Sequence, residues 1–531
     1  MSLRTLAALG DRSDVYRDAR RMAVIDMGSN TWRLIVVEYV PGVSFKVTDE
    51  VQESVRLGEG MSELPVLRPA AMDRAARAAQ IYAAFCEASG IEDIHAAATS
   101  AIRDASNQKR FLQRIERESG LQAHVLSGEE EAYYGYLAAV NSTTLENGFV
   151  LDMGGGSLQI SRVENRRPVQ QVSFPMGAVR MTEAFLRSDP VTSREAAALA
   201  EHVREQLQPL GWLRAEPGMR LIGEGGNVRL AARLMQKKAS YPLDILHGYA
   251  LSYGQVYTVR DELQHLSIAQ RRRLPGMKAE RADIALASAI VLQEIMRLAE
   301  VEAVEIGAQG LREGIFYEHF FEASGPDRVN PPLFEDVRRA SVLNLCHVYR
   351  FQERHADHIA HITGQMAAQI PDDLRSFDAD GQALLWAAAM LHDIGVVVDY
   401  HDHHKHGSYL ILNAGLPGYT HRELALIALL VRYHRKGQPQ FDELAALMRP
   451  GDDEVLMQLS ALLRLAEQID RARDGGVRDV RLAVDGDRAR LELFTSGDER
   501  VALWAVERHR EFFHAAFGID LEVVPVPVDG A

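Results

Sequence analysis

AVIDMGSNTWRLIVVEY, residues 23–39, and FVLDMGGGSLQISRVEN, residues 149–165, are two versions of one phrase. In each, an apolar run ends on an acid, Asp26 or Asp152, passes through a small-residue turn and re-enters a β-branched strand. The alternation predicts a hairpin whose tip presents a carboxylate beside free backbone N–H groups. Such a tip suits phosphate. Gly28 in the first copy and Gly154, Gly155 and Gly156 in the second let the backbone come close to an anion, and Ser29 and Ser157 add hydroxyl donors. The two acids would repel phosphate unless a divalent cation sits between them, and Mg²⁺ is the ion that carboxylate and phosphate oxygens prefer. Duplication of the phrase implies two half-sites facing one cleft.

Working outward, strand and helix patterns alternate on both sides of the repeat. Strands are expected at 22–27, 32–40 and 45–55, a helix at 69–89, a strand at 94–99, a helix near 107–119 and a strand at 123–126. The second half repeats the plan, with strands at 149–152, 158–163 and 169–174, helices near 178–187 and 193–208, the strand RLIG at 220–223, a long helix at 280–298 and a strand over VEAVEIG. Two α/β lobes with matching starts imply a cleft between them. After Ser324 the segment GPDRVNPP reads as a linker, and helical periodicity takes over from Phe334 to Arg473. The last stretch returns to a hairpin (VRDVRLAVDGDRARLELF), a helix around 501–517 and a final strand. The expected domains are a polar leader at 1–21, a first lobe at 22–135, a second at 136–322, an all-helical domain at 330–475 and a small α+β module at 476–531.

At 531 residues the chain exceeds what one core usually holds. Two cysteines, Cys86 and Cys346, are too few and too far apart for a disulfide framework, so a reducing compartment is expected; with no early apolar run of signal or membrane length, that compartment is the cytoplasm. A net charge of −15 argues against a nucleic-acid coat and requires local positive patches for any polyanionic substrate. Arg33, Arg56, Arg103, Arg180, Arg229, Arg281, the run Arg271 to Arg273 and Lys278 are the candidates.

Between the repeats lies VLSGEEEAYYGYL: a strand, a Ser127-Gly128 turn and three glutamates opening a helix. Ser127 with Glu130 three residues on is a capping box, which explains Glu130 as a stabiliser of the helix start. The same carboxylate lies where a base for activating water would be wanted.

The ordered series IDMGSNTWRL, ATSAIRDA, LSGEEEA, VLDMGGGSLQI, FPMGAVRMTE, YPLDILHGY, RADIALASAIVL and GLREG resembles the exopolyphosphatase / guanosine pentaphosphate phosphohydrolase (Ppx/GppA) family over residues 22 to about 320. The resemblance implies two lobes of the actin-like (ribonuclease-H-like) fold and hydrolysis of a terminal phosphoanhydride. Carried over, the family's catalytic glutamate falls on Glu130 and the second-hairpin aspartate that supports the metal on Asp152. Asp26, Ser29, Asn30, Arg33, Arg103, Ser157 and the glycines 154, 155 and 156 fall near phosphate oxygens, with Gly225, Gly226 and Asn227 of GEGGNVR as a further nest. Relatives usually read GGGSTE and this chain reads GGGSLQ, so Gln159 stands at a position expected to touch the metal, and Gln159→Glu is expected to raise Mg²⁺ affinity. The implied cofactor is Mg²⁺, with K⁺ as a companion. The implied substrate is inorganic polyphosphate, or guanosine pentaphosphate, and the implied assembly is a homodimer. A polyphosphate or alarmone sensor without turnover and a sugar- or acid-kinase are the alternatives from other classes.

In the helical region RHADHIAHI, WAAAMLHDIG, HDHHKHGSYLI, VRYHRKGQP and LLRLAEQID resemble the metal-binding HD phosphohydrolases. That resemblance implies a second divalent metal on His355, His392, Asp393, His406 and His434, with Ala466-Glu467 where an Ala-Asp step is usual. The alternative is a metal-free helical scaffold that extends a polyphosphate channel or mediates dimerisation.

Overall fold

A computed structural model describes residues 18–323, 325–327, 329–496 and 500–528. Most of the expected leader therefore lies outside the described residues. The chain divides into two compact units: one of residues 1–241 and 246–337, the other of residues 242–245 and 338–531.

The first unit holds two sheets. β1 (Arg20–Met27), β2 (Thr31–Val40), β3 (Ser44–Ser54), β4 (Asp93–Ala98) and β5 (Ala123–Val125) form one, in the order β3-β2-β1-β4-β5. β6 (Gly148–Met153), β7 (Leu158–Glu164), β8 (Arg167–Phe174), β9 (Arg220–Glu224), β10 (Ala250–Ser252) and β11 (Ala303–Ile306) form the other, in the order β10-β11-β9-β6-β7-β8. Apart from the extra edge strand β10, the second order is the first one repeated. β1 pairs antiparallel with β2 and parallel with β4, and β6 pairs antiparallel with β7 and parallel with β9. Even the irregularities correspond, with a register shift at Val36/Val37 between β2 and β3 and another at Arg162/Val163 between β7 and β8. The repeated phrase is thus a repeated topology, and its two turns, 28–30 and 154–157, occupy equivalent positions.

Both faces of β1 are buried, Met22, Ala23, Val24 and Ile25 each fully, as expected for a strand flanked by a parallel neighbour and helices on both sides. Ala23 and Ile25 face a core with Tyr82 and Phe111, whereas Met22 and Val24 face a second core that also takes in Val150 and Ile222 of the other sheet. The two lobes therefore share apolar packing beneath the cleft. Much of it is aromatic. The helix Leu311–Phe320, late in the chain, returns to β1 and β2, and its Phe316 meets Phe45 at 5.0 Å and Tyr39 at 5.5 Å between ring centroids.

That helix crosses the helix Gly128–Ser142 at very short range. A β-carbon on Gly314 would stand 2.0 Å from the carbonyl oxygen of Tyr134, while the Tyr134 hydroxyl donates to Glu318 at 3.0 Å. The helix Gly128–Ser142 is continuous through the boundary expected at residue 135. The long helix expected at 280–298 begins as a short 3₁₀ turn at Ala279–Arg281 and becomes α-helical only over Ala285–Leu298.

The second unit is helical and ends in a small sheet. Helices Glu353–Gln369, Ala379–Leu391, His403–Ala414, His421–Tyr433 and Asp452–Ile469 lead to β12 (Val477–Asp485) and β13 (Arg488–Thr495), an antiparallel pair. β14 (Asp520–Pro527) then pairs parallel to β13. The helix expected at 501–517 is two, Arg500–Glu507 and Arg510–Phe517. The small sheet is joined to the helices through β12: Gln365 Oε1 accepts from Val480 N at 2.9 Å and Gln369 Oε1 from Leu482 N at 3.0 Å. Amide side chains thus satisfy backbone groups of an edge strand.

The crossing at Gly314 gives the first prediction. Gly314→Ala forces a methyl group against the Tyr134 carbonyl and is expected to destabilise the first unit by roughly 1–3 kcal/mol, the usual range for overpacking, read as a lower denaturation midpoint. An unchanged midpoint would show that the two helices part without penalty.

Candidate active site

The hairpin tips meet each other. A β-carbon on Gly156 would lie 2.5 Å from Ser100 Oγ and 2.6 Å from Ser29 Oγ, and one on Gly155 would lie 3.1 Å from the Asn30 β-carbon. Ser29 Oγ and Ser100 Oγ are 2.9 Å apart. The second turn is closed by Gly154 N donating to Ser157 O at 3.0 Å, and its outward carbonyls are taken by Ala178 N and Val179 N at the start of the helix Ala178–Phe185.

A cleft opens beside this contact. It is lined by Asp26, Gly28, Ser29, Asn30, Thr31 and Arg33 from the first hairpin and by Asp152, Gly154, Gly155 and Ser157 from the second. Glu131, Gly225, Gly226, Asn227, Arg229, Arg281, Arg312 and Glu313 add to the wall, and among the described residues no aromatic side chain lines it. Four guanidinium groups thus face four carboxylates, so the wall is balanced in charge where the chain as a whole is acidic. Both Asn30 side-chain amide atoms and the Thr31 hydroxyl are buried here without a protein partner among the described residues. Groups of this kind are nearly always satisfied, so they mark where a polar ligand belongs.

Burial dominates the electrostatics. It pushes the Asp26 carboxyl up to about 6, against the pull of Arg312 and Arg33. It does the same to Asp152, also to about 6, against Arg229 and with added repulsion from Asp26 and Glu313. Glu131 is raised by burial too, with Arg103 pulling the other way. These acids disfavour one another's ionised forms, and a cation or a proton would relieve them.

Glu130 and Glu131 are neighbours in sequence, yet their side chains make different contacts. Glu130 Oε2 accepts from Ser127 N at 2.8 Å while Ser127 Oγ accepts from Glu130 N at 3.1 Å, a closed capping box. Despite partial burial, the Ser127 N–H holds the Glu130 carboxyl below its usual range. Its side chain points away from the cleft, so the assignment of the catalytic glutamate to Glu130 is corrected. Glu131 is the neighbour turned inward: Oε2 accepts from Arg103 Nη1 at 2.9 Å and Oε1 from Ser157 Oγ at 3.1 Å. Arg103 does not line the cleft. It donates to the Leu126 carbonyl at 3.0 Å as well as to Glu131.

Gln159 is corrected as well. It lies directly across the ladder from Asp152, but it is buried, its Nε2 donates to Ser173 Oγ at 2.9 Å, and it contributes nothing to the cleft wall. Gly156 serves the contact between the tips rather than the cleft surface. Asn227 Oδ1 accepts from Arg281 Nη1 at 2.8 Å and its Nδ2 donates to Gly154 O at 3.2 Å, so it braces the second turn. Among the candidate cations, Arg33, Arg229 and Arg281 reach the cleft; Arg56 pairs with Asp283 at 2.6 Å and Arg180 with Asp104 at 2.8 Å.

Sequence reasoning singled out neither Arg312 and Glu313, although GLREG contains both, nor Thr31, nor Glu224. Glu224 is fully buried with neither carboxylate oxygen hydrogen-bonded among the described residues, and burial, aided by the Asp152 charge, pushes it well above the usual carboxylate range. It stands beside Asp152 on the neighbouring strand.

In the helical unit the structure gathers His355, His392, Asp393 and His434, as expected, but not His406. His403, one turn earlier on the same helix, occupies that place, and Glu467 and Asp470 complete the group.

Comparison with known proteins agrees with this geometry. The Ppx/GppA phosphatase family matches residues 35–322, and Ppx/GppA phosphatase, domain III, matches residues 337–507. A guanosine-5'-triphosphate,3'-diphosphate pyrophosphatase of Vibrio vulnificus is 27% identical over 499 residues, covering 92% of this chain and 95% of that protein. The crystal structure of the Aquifex aeolicus Ppx/GppA family member superposes with a TM-score of 0.50 at 28% identity, covering 58% of this chain and all of that one. An exopolyphosphatase from Cytophaga hutchinsonii shares the fold, with a TM-score of 0.53 at 24% identity over 57% of this chain and 99% of its own.

The tip contact is directly testable. Gly156→Ala wedges Ser29 and Ser100 apart and is expected to weaken tripolyphosphate binding about tenfold, roughly 1.4 kcal/mol, by calorimetry at constant salt. Unchanged affinity would show that the contact between the tips does not shape the cleft.

Proposed function

Because the chain belongs to the Ppx/GppA phosphatase family, whose members hydrolyse phosphoanhydrides, we propose that its cleft removes the terminal phosphate of inorganic polyphosphate, with Glu131 as the residue that readies water. The observation that carries this reading is Glu131 itself: an inward carboxylate, held on both oxygens, at the junction of the two hairpins.

The cleft suits an inorganic chain. Backbone N–H groups and hydroxyls at the two tips, with Arg33, Arg229, Arg281 and Arg312, offer donors all around a phosphoryl group, and no ring is present to stack on a base. Phosphoryl transfer asks for little more than such positioning and charge neutralisation. A carboxyl raised by burial is a better proton acceptor than a free one, and Arg103 and Ser157 fix its direction. Oriented by these two partners, Glu131 takes the proton from a water attacking the terminal phosphorus as the bridging P–O bond breaks; the departing chain leaves as a phosphate anion. Asp26 and Asp152 are hard oxygen donors crowded by other acids, a set that fits Mg²⁺. When bound, Mg²⁺ would neutralise phosphate oxygens and the charge that collects on the leaving group.

Guanosine pentaphosphate is the second reading. It is favoured by relatives named for that nucleotide, which match the chain over 95% and 94% of their own lengths. Both substrates present a terminal phosphoanhydride to the same wall, and orthophosphate release from each, side by side, separates them.

In that assay Glu131→Gln is expected to lower turnover by about 10²- to 10⁴-fold while substrate still binds. Glu130→Gln, which keeps the capping box, is expected to stay within about threefold, roughly 0.6 kcal/mol. The reverse pattern would return the role to Glu130.

A pH dependence follows from the two aspartates. Each carboxyl is raised to about 6, so both are ionised above that value and take up protons below it. Protons then compete with the cation, and the Mg²⁺ concentration giving half-maximal activity should rise as pH falls from 7.5 towards 5.5. A constant half-saturation across that range would place the metal elsewhere.

A further inference from the structure

Glu224 is an acid that the cleft chemistry has not used. It ends β9, which runs parallel to β6, and it stands in register with Asp152; on the other side of Asp152, in register on β7, is Gln159. One row across three strands therefore reads Gln159, Asp152, Glu224, and residues in register project from the same face of a sheet. Gln159 carries no charge and is tied to Ser173. The second acid of the row is Glu224.

Its surroundings offer it no hydrogen. The residue is fully buried, and neither carboxylate oxygen has a hydrogen-bond partner among the described residues. Three glycines from three parts of the chain close round it. A β-carbon on Gly135 would stand 3.3 Å from Oε2, one on Gly307 3.3 Å from Oε1 and one on Gly310 3.8 Å from Oε2. Arg229, a cation whose charge Glu224 feels, donates to the Ala308 carbonyl instead. Buried polar groups are almost always satisfied, and a buried acid without a donor is one that pairs with a cation.

Two of these contacts lead to the cleft. The β-carbon position of Gly135 that lies 3.3 Å from Glu224 Oε2 lies 3.9 Å from Asp152 Oδ2, and Asp152 and Gly310 both line the cleft. Oε2 is thus one layer behind the wall, beside the acid that forms it. Gly135 follows Glu131 by one turn of the helix Gly128–Ser142, so the helix that carries the inward glutamate passes the two acids on a residue with no side chain. Burial raises the Glu224 carboxyl and the Asp152 charge adds to the effect; a cation would favour the ionised form of both.

We propose that Glu224 and Asp152 form a carboxylate pair that holds the divalent cation of the cleft on the second lobe before any phosphate chain arrives, Glu224 supplying the charge that Gln159 lacks. Hard oxygen donors suit Mg²⁺, which is usually held by one or two carboxylates and completes its shell with water and substrate phosphate. The proposal rests on the reading of the cleft as a divalent-cation site. To that reading it adds a residue and an order of binding, cation first and substrate second.

The test titrates Mg²⁺ by calorimetry into the full chain, stripped with a chelator and free of substrate. The wild type is expected to take up the ion. Glu224→Gln, close in shape, should weaken that uptake by about 10- to 100-fold, and Asp152→Asn by at least as much; uptake elsewhere in the chain is common to all three and cancels. Glu224→Asp keeps the charge but withdraws it by one methylene, and should fall between Glu224→Gln and the wild type. Circular dichroism checks that the variants fold, and if Glu224→Gln does not, Glu224→Asp takes its place. Weakened uptake in Asp152→Asn with wild-type uptake in Glu224→Gln overturns the proposal and leaves the cation on Asp152. No uptake by the wild type until tripolyphosphate is added overturns it as well, since the cation would then come with the substrate. Unchanged uptake in both variants would remove the cation from this part of the cleft, and with it the role of Asp152.

Discussion

Everything in the first unit is organised around a contact with no room for a side chain: the Gly155–Gly156 backbone lying against Ser29, Asn30 and Ser100. Two strands of different sheets end there. Because the tips touch, the acids that precede them on each strand, Asp26 and Asp152, are drawn into one buried electrostatic system, in which Asp152 feels the charge of Asp26 and both feel that of Glu313. The shared apolar core of Met22, Val24, Val150, Ile222 and Phe316 packs the two lobes together below them. The helix Gly128–Ser142 then needs only one inward carboxylate to complete the site.

Much of this was legible in the sequence, because the features concerned are local. A strand that runs apolar and ends in Asp, small residues, then strand again has few other readings, and its repetition fixes the equivalence of the lobes. Ser127 and Glu130 form the capping box their spacing predicts. The misassignment of the glutamate came from the same place. Three consecutive acids in one helical turn point in three directions about 100° apart, and a count of residues cannot say which one faces inward. The capping box narrows the choice: a glutamate occupied with its own N-cap is withdrawn from other duties, which leaves Glu129 and Glu131, and of these the structure buries only Glu131.

What stayed hidden depends on distant parts of the chain. Arg312 and Glu313 enter the cleft because the helix that carries them folds back from the end of the second lobe onto the first sheet, a path no periodicity reveals. Gln159 was read by its position in a motif, whereas its environment is set by Ser173 on the next strand. His403 rather than His406 joins the helical cluster, at the first position of a helix whose N-cap, Asp402, has positive φ. Sequence spacing suggested which residue types would converge, and the tertiary structure chose among adjacent copies of them.

The small sheet at the end of the chain finishes at three strands for a reason visible in its borders. On one side, β12 is already engaged by Gln365 and Gln369. On the other, Val528 N donates inward to Thr495, so by alternation the outward-facing backbone positions of β14 include Pro525 and Pro527, which have no hydrogen to give. A stray strand from another molecule would find one border occupied and the other unable to complete a ladder. Growth by strand addition is thereby closed to this module, and whatever meets it has to do so through side-chain surfaces instead of a continued sheet.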